Sequence, residues 1–441
     1  MTLPWLEDRM ERARAATAPV SVGRVRRVVG LNLEVEGVEA AIGDAVTVAT
    51  SAGPLAAEIV GIRDGGLICM PFGELAGLRA GAAVSASGVS QTIPVGDALL
   101  GRVVDGLGRP LDGGPALADA PGVELVSVDG TPPNPLRRAA VDRPLHLGVR
   151  VIDTLVPCGR GQRLGIFSGS GVGKSTLLSM IARGTEAQVS VVALVGERGR
   201  EVREFIERDL GPEGLARSVV VVATSDEPAL VRRRAAFTAT RIAEWFRDQG
   251  ADVVLMMDSV TRFAMAQREI GLSVGEPPAT RGYPPSVFSL LPRLMERAGG
   301  GERGSITALY TVLVEGDDMN EPIGDAARSI LDGHIVLSRQ LASAGHFPCV
   351  DVLESVSRVA PVITTPDQRA AASELRRLLA AYREAKDLVE IGAYVTGTNP
   401  VVDRAIALRE VMDLFLRQGV DERAEASESW AALAAIAGAA K

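Results

Sequence analysis

The segment Gly169-Ser170-Gly171-Val172-Gly173-Lys174-Ser175-Thr176 stands between two apolar runs, Leu164-Gly-Ile-Phe and Leu177-Leu-Ser-Met-Ile-Ala. The order is a buried strand, a glycine-rich loop and the start of a helix, which is the setting a phosphate-binding loop requires. Glycines allow backbone N–H groups to turn inward and phosphate oxygens to approach closely. The positive end of the following helix points at the same place. Lys174 is placed to reach the β- and γ-phosphates, and the Ser175 hydroxyl to ligate Mg²⁺. One position departs from the pattern: Ser168 stands where a first glycine is expected, and a residue that small still permits the turn. Residues 169–176 therefore read as a site for a nucleoside triphosphate and Mg²⁺.

A chain of 441 residues exceeds one ordinary core, so two or three domains are expected. The mix of 46% apolar and 23% charged residues is that of a globular protein, and no uncharged apolar run reaches membrane-spanning length. The N-terminus carries Glu7, Asp8 and Glu11 and lacks a basic-then-apolar leader pattern. Cys69, Cys158 and Cys349 are far apart and without metal-ligand spacing, so they read as small buried hydrophobes in a reducing compartment. A net charge of −8 argues against a general nucleic-acid binder.

Residues 1–20 place Leu3, Leu6, Met10 and Ala13 on one face of a short charged helix, either a frayed terminus or a docking element. Over 21–90, short β-prone runs alternate with Gly, Asn and Asp turns, which predicts a small antiparallel barrel. Phe72 is its one aromatic, too few rings to stack single-stranded nucleic acid. A turn-rich connecting region covers 91–160. From 161 to about 365, continuous apolar strands (164–168, 189–195, 218–223, 252–258, 306–314 and 334–338) alternate with helical segments, the pattern of a parallel sheet covered by helices. The span 366–441 is rich in Ala, Leu, Arg and Glu with helical periodicity, broken at Gly392, Gly397 and Pro400, and reads as a helical domain. The expected divisions are thus a helix at 1–20, a barrel at 21–90, the nucleotide domain at 91–365 and the helical domain at 366–441.

Two acidic strand ends follow the phosphate loop. In Val189-Ser-Val-Val-Ala-Leu-Val-Gly-Glu197-Arg198-Gly199-Arg200, Glu197 leaves a core strand where a carboxylate can hold the attacking water and accept its proton. The alternative is a surface pair between Glu197 and Arg198 or Arg200. In Asp252-Val-Val-Leu-Met-Met-Asp258, Asp258 is placed to hold Mg²⁺ through water.

Together the phosphate loop, Gly196-Glu-Arg-Gly-Arg-Glu-Val and Asp258-Ser-Val-Thr-Arg-Phe-Ala-Met-Ala-Gln-Arg-Glu-Ile resemble the RecA-like hexameric ATPases related to the catalytic subunit of rotary ATP synthase. Three longer segments, starting at Gly275, Glu315 and Glu354, resemble the ATPases of bacterial type III protein export, most closely the flagellar branch. The similarity extends to Ile391-Gly-Ala-Tyr, while the acidic Asp-Glu-Leu-Ser-Glu-Glu-Asp lever of the ATP synthase β subunit is absent. The resemblance implies an α/β fold: a RecA-like domain after a small N-terminal β-barrel and before C-terminal helices. It implies roles for Lys174 and Ser175 on phosphate and Mg²⁺, Glu197 as general base and Asp258 behind Mg²⁺. Arg198 would brace the γ-phosphate or Glu197. Arg358, at the far edge of the domain in strand order, matches an arginine finger offered to a neighbouring subunit. Phe347 falls where the family usually has a Tyr stacked on adenine; the alternative is a core aromatic.

The implied protein is a homohexamer, cytoplasmic and peripheral to the inner membrane. Its implied partners are a regulatory stator-like protein bound through residues 1–20, export chaperones and their substrates, and the membrane export gate, with no nucleic acid. An injectisome ATPase, an RNA-translocating hexameric helicase and a nucleotide-holding subunit without turnover are the competing readings. RNA-stimulated hydrolysis would mark the helicase, and the presence of Glu197 and Arg358 counts against the inert subunit.

Overall fold

The computed structural model describes residues 22–314, 318 and 321–439, so the helix expected over 1–20 lies outside the described residues. Two compact units result, one of residues 22–91 with Ile270–Glu276 and one of Thr92–Glu269 with residues from Pro277 onward.

The first unit is a closed six-stranded barrel. Its strands are β1 (Val22–Val29), β2 (Asn32–Glu36), β3 (Asp44–Thr50), β4 (Gly53–Arg63), β5 (Gly66–Pro71) and β6 (Ala83–Ser90), ordered β1-β2-β5-β4-β3-β6, and β6 pairs back onto β1. Every pairing is antiparallel. Closure leaves no free sheet edge. Val25, Leu33, Val35, Val46, Val48 and Ile59 fill the interior, alternating with exposed positions as period-two geometry requires. The unit also claims the Ile270–Glu276 turn: the Asn32 side-chain amide donates to the Ser273 carbonyl at 2.8 Å, and Arg63 donates to the Val274 carbonyl. Sequence reading gave four of these strands; β5 and β6 lack the clean alternation that marks the others.

The second unit is built on a sheet whose main path runs β14-β13-β8-β12-β11-β9-β10-β7. The strands are β7 (Val103–Asp105), β8 (Arg163–Ser168), β9 (Val189–Glu197), β10 (Ser218–Thr224), β11 (Asp252–Asp258), β12 (Ser305–Leu313), β13 (Gly333–Leu337) and β14 (Val350–Ser357). Pairing is parallel from β7 through to β13, and β14 closes the edge antiparallel to β13. The middle strands are buried along nearly their whole length, which is why they read as continuous apolar runs. Two strands, β7 and the edge strand β14, were not legible. β7 is three residues long within the turn-rich stretch read as a connection, and it joins the sheet beside β10.

Helix α1 (Lys174–Gly184) follows β8, α2 (Ala229–Asp248) follows β10 and α3 (Val260–Val274) follows β11. The C-terminal segment folds into α4 (Pro366–Glu390), α5 (Pro400–Ala407), α6 (Arg409–Leu416) and α7 (Ala426–Ala439). Thr365 and Gln368 form a reciprocal capping box at the start of α4. These helices share one core with the sheet: Leu375, Leu378, Met412, Phe415 and Leu433 cluster with Leu177, Ile181, Ile166, Val192 and Met256. Helix α2 is outside that cluster and packs on β9, β10 and β11.

A buried ion pair fastens α2. Arg297 is 1% exposed; its Nε and Nη2 donate to the two Glu244 carboxylate oxygens, each at 2.7 Å, and its Nη1 donates to the Val128 carbonyl at 3.1 Å. Breaking such a pair from one side leaves an uncompensated buried charge. Glu244→Ala should therefore cost about 3–5 kcal/mol, read as a lower urea midpoint. Replacing both partners, Glu244→Leu with Arg297→Met, should recover most of the loss.

Candidate nucleotide-binding and catalytic site

The phosphate loop is anchored at its middle. Val172 is 1% exposed and joins the main core, while Ser170 and Gly171 on either side of the bend face solvent. Gly171 and Gly173 take φ values of 75° and 90°, a left-handed backbone that disfavours side chains. Gly173 is the N-cap of α1 and supplies no side-chain cap, and no acidic residue sits in the first turn. The first N–H groups of α1 are thus left for an anion.

Three parallel strands, β8, β11 and β9, end at this level, and each delivers one polar group. Lys174 Nζ, just past β8, lies 2.5 Å from Asp258 Oδ1 at the end of β11 and 3.5 Å from Glu197 Oε1 at the end of β9. The register of β9 with β11 pairs Leu194 with Asp258, so Glu197 stands three residues beyond its neighbour's last residue. Between β8 and β11 runs β12, whose Thr311 donates a 2.8 Å hydrogen bond to the same Asp258 Oδ1. All three charged side chains are largely enclosed, with exposures of 12% for Lys174, 18% for Glu197 and 3% for Asp258. Burial first, then the negative charge of Asp258, push Glu197 up to about 7, with Lys174 acting the other way. A carboxylate poised there suits a general base at neutral pH.

Phe347 is 44% exposed and its ring faces the loop: a Cβ added at Gly173 would sit 3.7 Å from it. It is therefore no core aromatic, and its free face is open to a purine. Its carbonyl accepts from the Gln418 backbone N–H at 3.0 Å. The Gln418 side chain in turn accepts from Arg150 N–H and donates to the Gly148 carbonyl, at 2.8 and 2.9 Å. The helical domain thus holds the Phe347 segment in place.

Ser175 is exposed and has no protein partner among the described residues, so its hydroxyl is available as a ligand. No group of three or more His, Cys, Asp or Glu that could hold a metal occurs among the described residues. One hydroxyl and one buried carboxylate beside a phosphate loop are hard oxygen donors, and they fit Mg²⁺ completed by phosphate and water.

Two expected members stand apart. Arg198 is 76% exposed and pairs with Glu201 at 3.4 Å, outside the Lys174–Glu197–Asp258 cluster. Arg200 pairs with Glu204, so neither arginine forms the surface pair with Glu197 considered above. Arg358 follows β14 at the sheet's edge. In strand order that edge is only two strands from β8, nearer than its sequence position suggested. The separation runs along the strands instead. Ser357 pairs with Gly333 and Ser168 with Leu337, so Arg358 lies at the entry end of the sheet and the loop at the exit end, about 17 Å apart at the usual rise per residue. The Arg358 side chain is exposed, donating among the described residues only to the Arg328 carbonyl at 3.4 Å.

Sequence reading missed Thr311, Gln418 and Arg262. Arg262 packs its chain against Gly196, beside Glu197, and keeps its Nε buried without a partner. Of the three, only Arg262 carried a signal, four residues after Asp258.

Fold and site together define a phosphate-loop ATPase on a parallel sheet. Residues 148–357 match the nucleotide-binding domain of the ATP synthase alpha/beta family, and residues 364–435 match the T3SS EscN ATPase C-terminal domain. The chain is 54% identical to the flagellum-specific ATP synthase of Bacillus subtilis over 94% of this chain and 95% of that protein. It is 51% identical to the type 3 secretion system ATPase of Xanthomonas euvesicatoria, with 95% of each covered. The assembled ATPase EscN of the enteropathogenic E. coli type III secretion system superposes with a TM-score of 0.89 at 46% identity, covering 94% of this chain and all of that one. The chain belongs to the family of flagellum-specific and type III secretion ATPases, and it hydrolyses ATP.

Because burial raises Glu197, its active deprotonated form is lost as pH falls through about 7. A plot of kcat/KM, which reports the free enzyme, should bend downward below about pH 7. A limb in the ordinary carboxylate range would show that another group limits the acid side.

Proposed function

We propose that the protein is a Mg²⁺-dependent ATPase that assembles as a ring of six identical chains and energises protein export through the flagellar type III apparatus. The observation that carries the reading is the cluster of Lys174 between Glu197 and Asp258, with Arg358 at the opposite end of its own sheet. Lys174 binds phosphate oxygens, which offer it more negative charge than Asp258 alone and free that carboxylate to hold the metal through water. Ser175 supplies the other protein oxygen. Mg²⁺, when bound, neutralises charge on the β- and γ-phosphates. Glu197 orients the attacking water and takes its proton, and Phe347 stacks on the adenine. The phosphate loop from Gly169 through Thr176 wraps the triphosphate.

Arg358 completes the site from the next subunit. Its backbone lies about 17 Å from its own loop, at the opposite end of the sheet, and its exposure suits a surface met by another copy. Arg198 is proposed to turn from Glu201 towards the γ-phosphate or Glu197 when the site fills; a 3.4 Å pair on the surface is weak enough to exchange.

The flagellar branch is favoured by relatives named flagellum-specific ATP synthase in Bacillus subtilis and Treponema pallidum, 54% and 51% identical. The SPI-2 type 3 secretion system ATPase of Salmonella typhimurium is also 54% identical, over 83% of this chain, and keeps the injectisome as the second reading. A solved complex of EscN with its central stalk EscO supports a stalk partner for a ring of this chain. Residues 1–20 are proposed to bind a regulatory stator-like protein, and the ring to receive export chaperones and substrates at the membrane gate. No described helix is long and apolar enough to cross a membrane, and we place the protein in the cytoplasm, peripheral to the inner membrane.

Mixing two inactive variants tests the shared site. A subunit with Arg358→Ala keeps Glu197, and a subunit with Glu197→Gln keeps Arg358. Mixed rings should regain part of the activity, since some interfaces pair an intact base with an intact arginine. If exchange is demonstrated and activity stays at zero, Arg358 does not act across the interface.

A further inference from the structure

At the end of α1 remote from the phosphate loop lies a cavity of about 640 Å³, within the range of roughly 300–1,000 Å³ typical of small-ligand sites. Arg183, Arg208, Arg217 and Arg423 line it, against one lining carboxylate, Glu213. The arginines come from separate places: the last turn of α1, the π-helical segment Phe205–Leu210, the residue before β10, and the loop between α6 and α7.

Two of the four are already committed. Arg217 caps the C-terminus of α1, donating to the carbonyls of Ala182, Arg183, Thr185 and Ala187 at 2.7–3.2 Å. Arg183 donates to the Val420 carbonyl at 2.8 Å and to Asp421 at 3.2 Å, and that aspartate is 94% exposed. Arg208 and Arg423 have no hydrogen-bond or ion-pair partner among the described residues, and both are exposed. Burial, and after it the charge of Arg423, lower Arg217, so the cations crowd one another rather than being balanced. Partial burial pushes the nearby Asp209 up, while the charges of Arg183 and Arg208 draw it down.

Like charges brought together in a concave site, with donors left over, are the arrangement that binds a multivalent oxyanion. We propose that this cavity binds a phosphate-bearing anion, with Arg208 and Arg423 as its principal donors and Arg183 and Arg217 as its floor. The site is separate from the phosphate loop, because α1 runs 11 residues between them, about 16 Å of helix.

The test uses the full chain loaded with one equivalent of ADP and Mg²⁺, so that the phosphate loop is already filled. Inorganic pyrophosphate is titrated by calorimetry in one arm. In the other, the protein is sedimented with vesicles of phosphatidylglycerol or of phosphatidylcholine. The expected result is saturable binding of pyrophosphate, of phosphatidylglycerol vesicles or of both, weakening as salt rises. Arg208→Ala with Arg423→Ala should weaken it at least about tenfold and leave basal ATP hydrolysis unchanged, which shows the variant is folded. The arm that responds identifies a soluble phosphate or a lipid headgroup as the source. Binding in neither arm, or binding unaffected by the double substitution, overturns the proposal.

Discussion

One lysine between two carboxylates sets the terms for this active site. Lys174 is attached to the phosphate loop, Asp258 and Glu197 to the ends of neighbouring strands, and the three meet in a space almost closed to solvent. In that space burial, and after it the negative charge of Asp258, raise Glu197, with Lys174 opposing them. Thr311 keeps Asp258 oriented from the strand between them. Asp258 and Glu197 are placed by strand pairing, and Lys174 by the first turn of α1.

The same sheet explains why one chain is insufficient for the proposed chemistry. Parallel strands all present their exit ends to the phosphates, whereas the antiparallel β14 returns its end to the opposite side. A residue that follows β14 is carried away from its own nucleotide by strand geometry alone. The role proposed for Arg358 at a neighbour's site rests on that placement. The helical domain contributes differently, sharing its core with the sheet and pinning the Phe347 segment through Gln418. Under the role proposed for Phe347, adenine stacking and the position of that domain would depend on one another.

Much of this was legible in the sequence, for physical reasons. The inner strands are buried on both faces and so announce themselves as apolar runs, and the loop's glycines answer to a backbone conformation that few other residues adopt. Glu197 and Asp258 were legible because polar residues ending apolar runs must sit at strand exits. The short β7 and the edge strand β14 were not, since edge and short strands carry weak patterns, and the barrel strands β5 and β6 lack a clean alternation. Thr311 and Gln418 were invisible: a threonine within a strand and a glutamine in a loop acquire roles only through contacts far along the chain. The placement of Arg358 needed the one antiparallel pairing in the main sheet path, which no local pattern reveals.

The central claim is that Glu197 acts on the water and Lys174 on the nucleotide. Its most direct test is a paired measurement of ATP affinity and single-turnover hydrolysis in Glu197→Gln. The substitution preserves the shape of the side chain and removes its capacity to accept a proton. The account predicts ATP binding close to that of the unmodified protein, with hydrolysis slowed by about 10²–10⁴-fold, the usual contribution of a positioned base. A variant that hydrolyses ATP at the unmodified rate would contradict it.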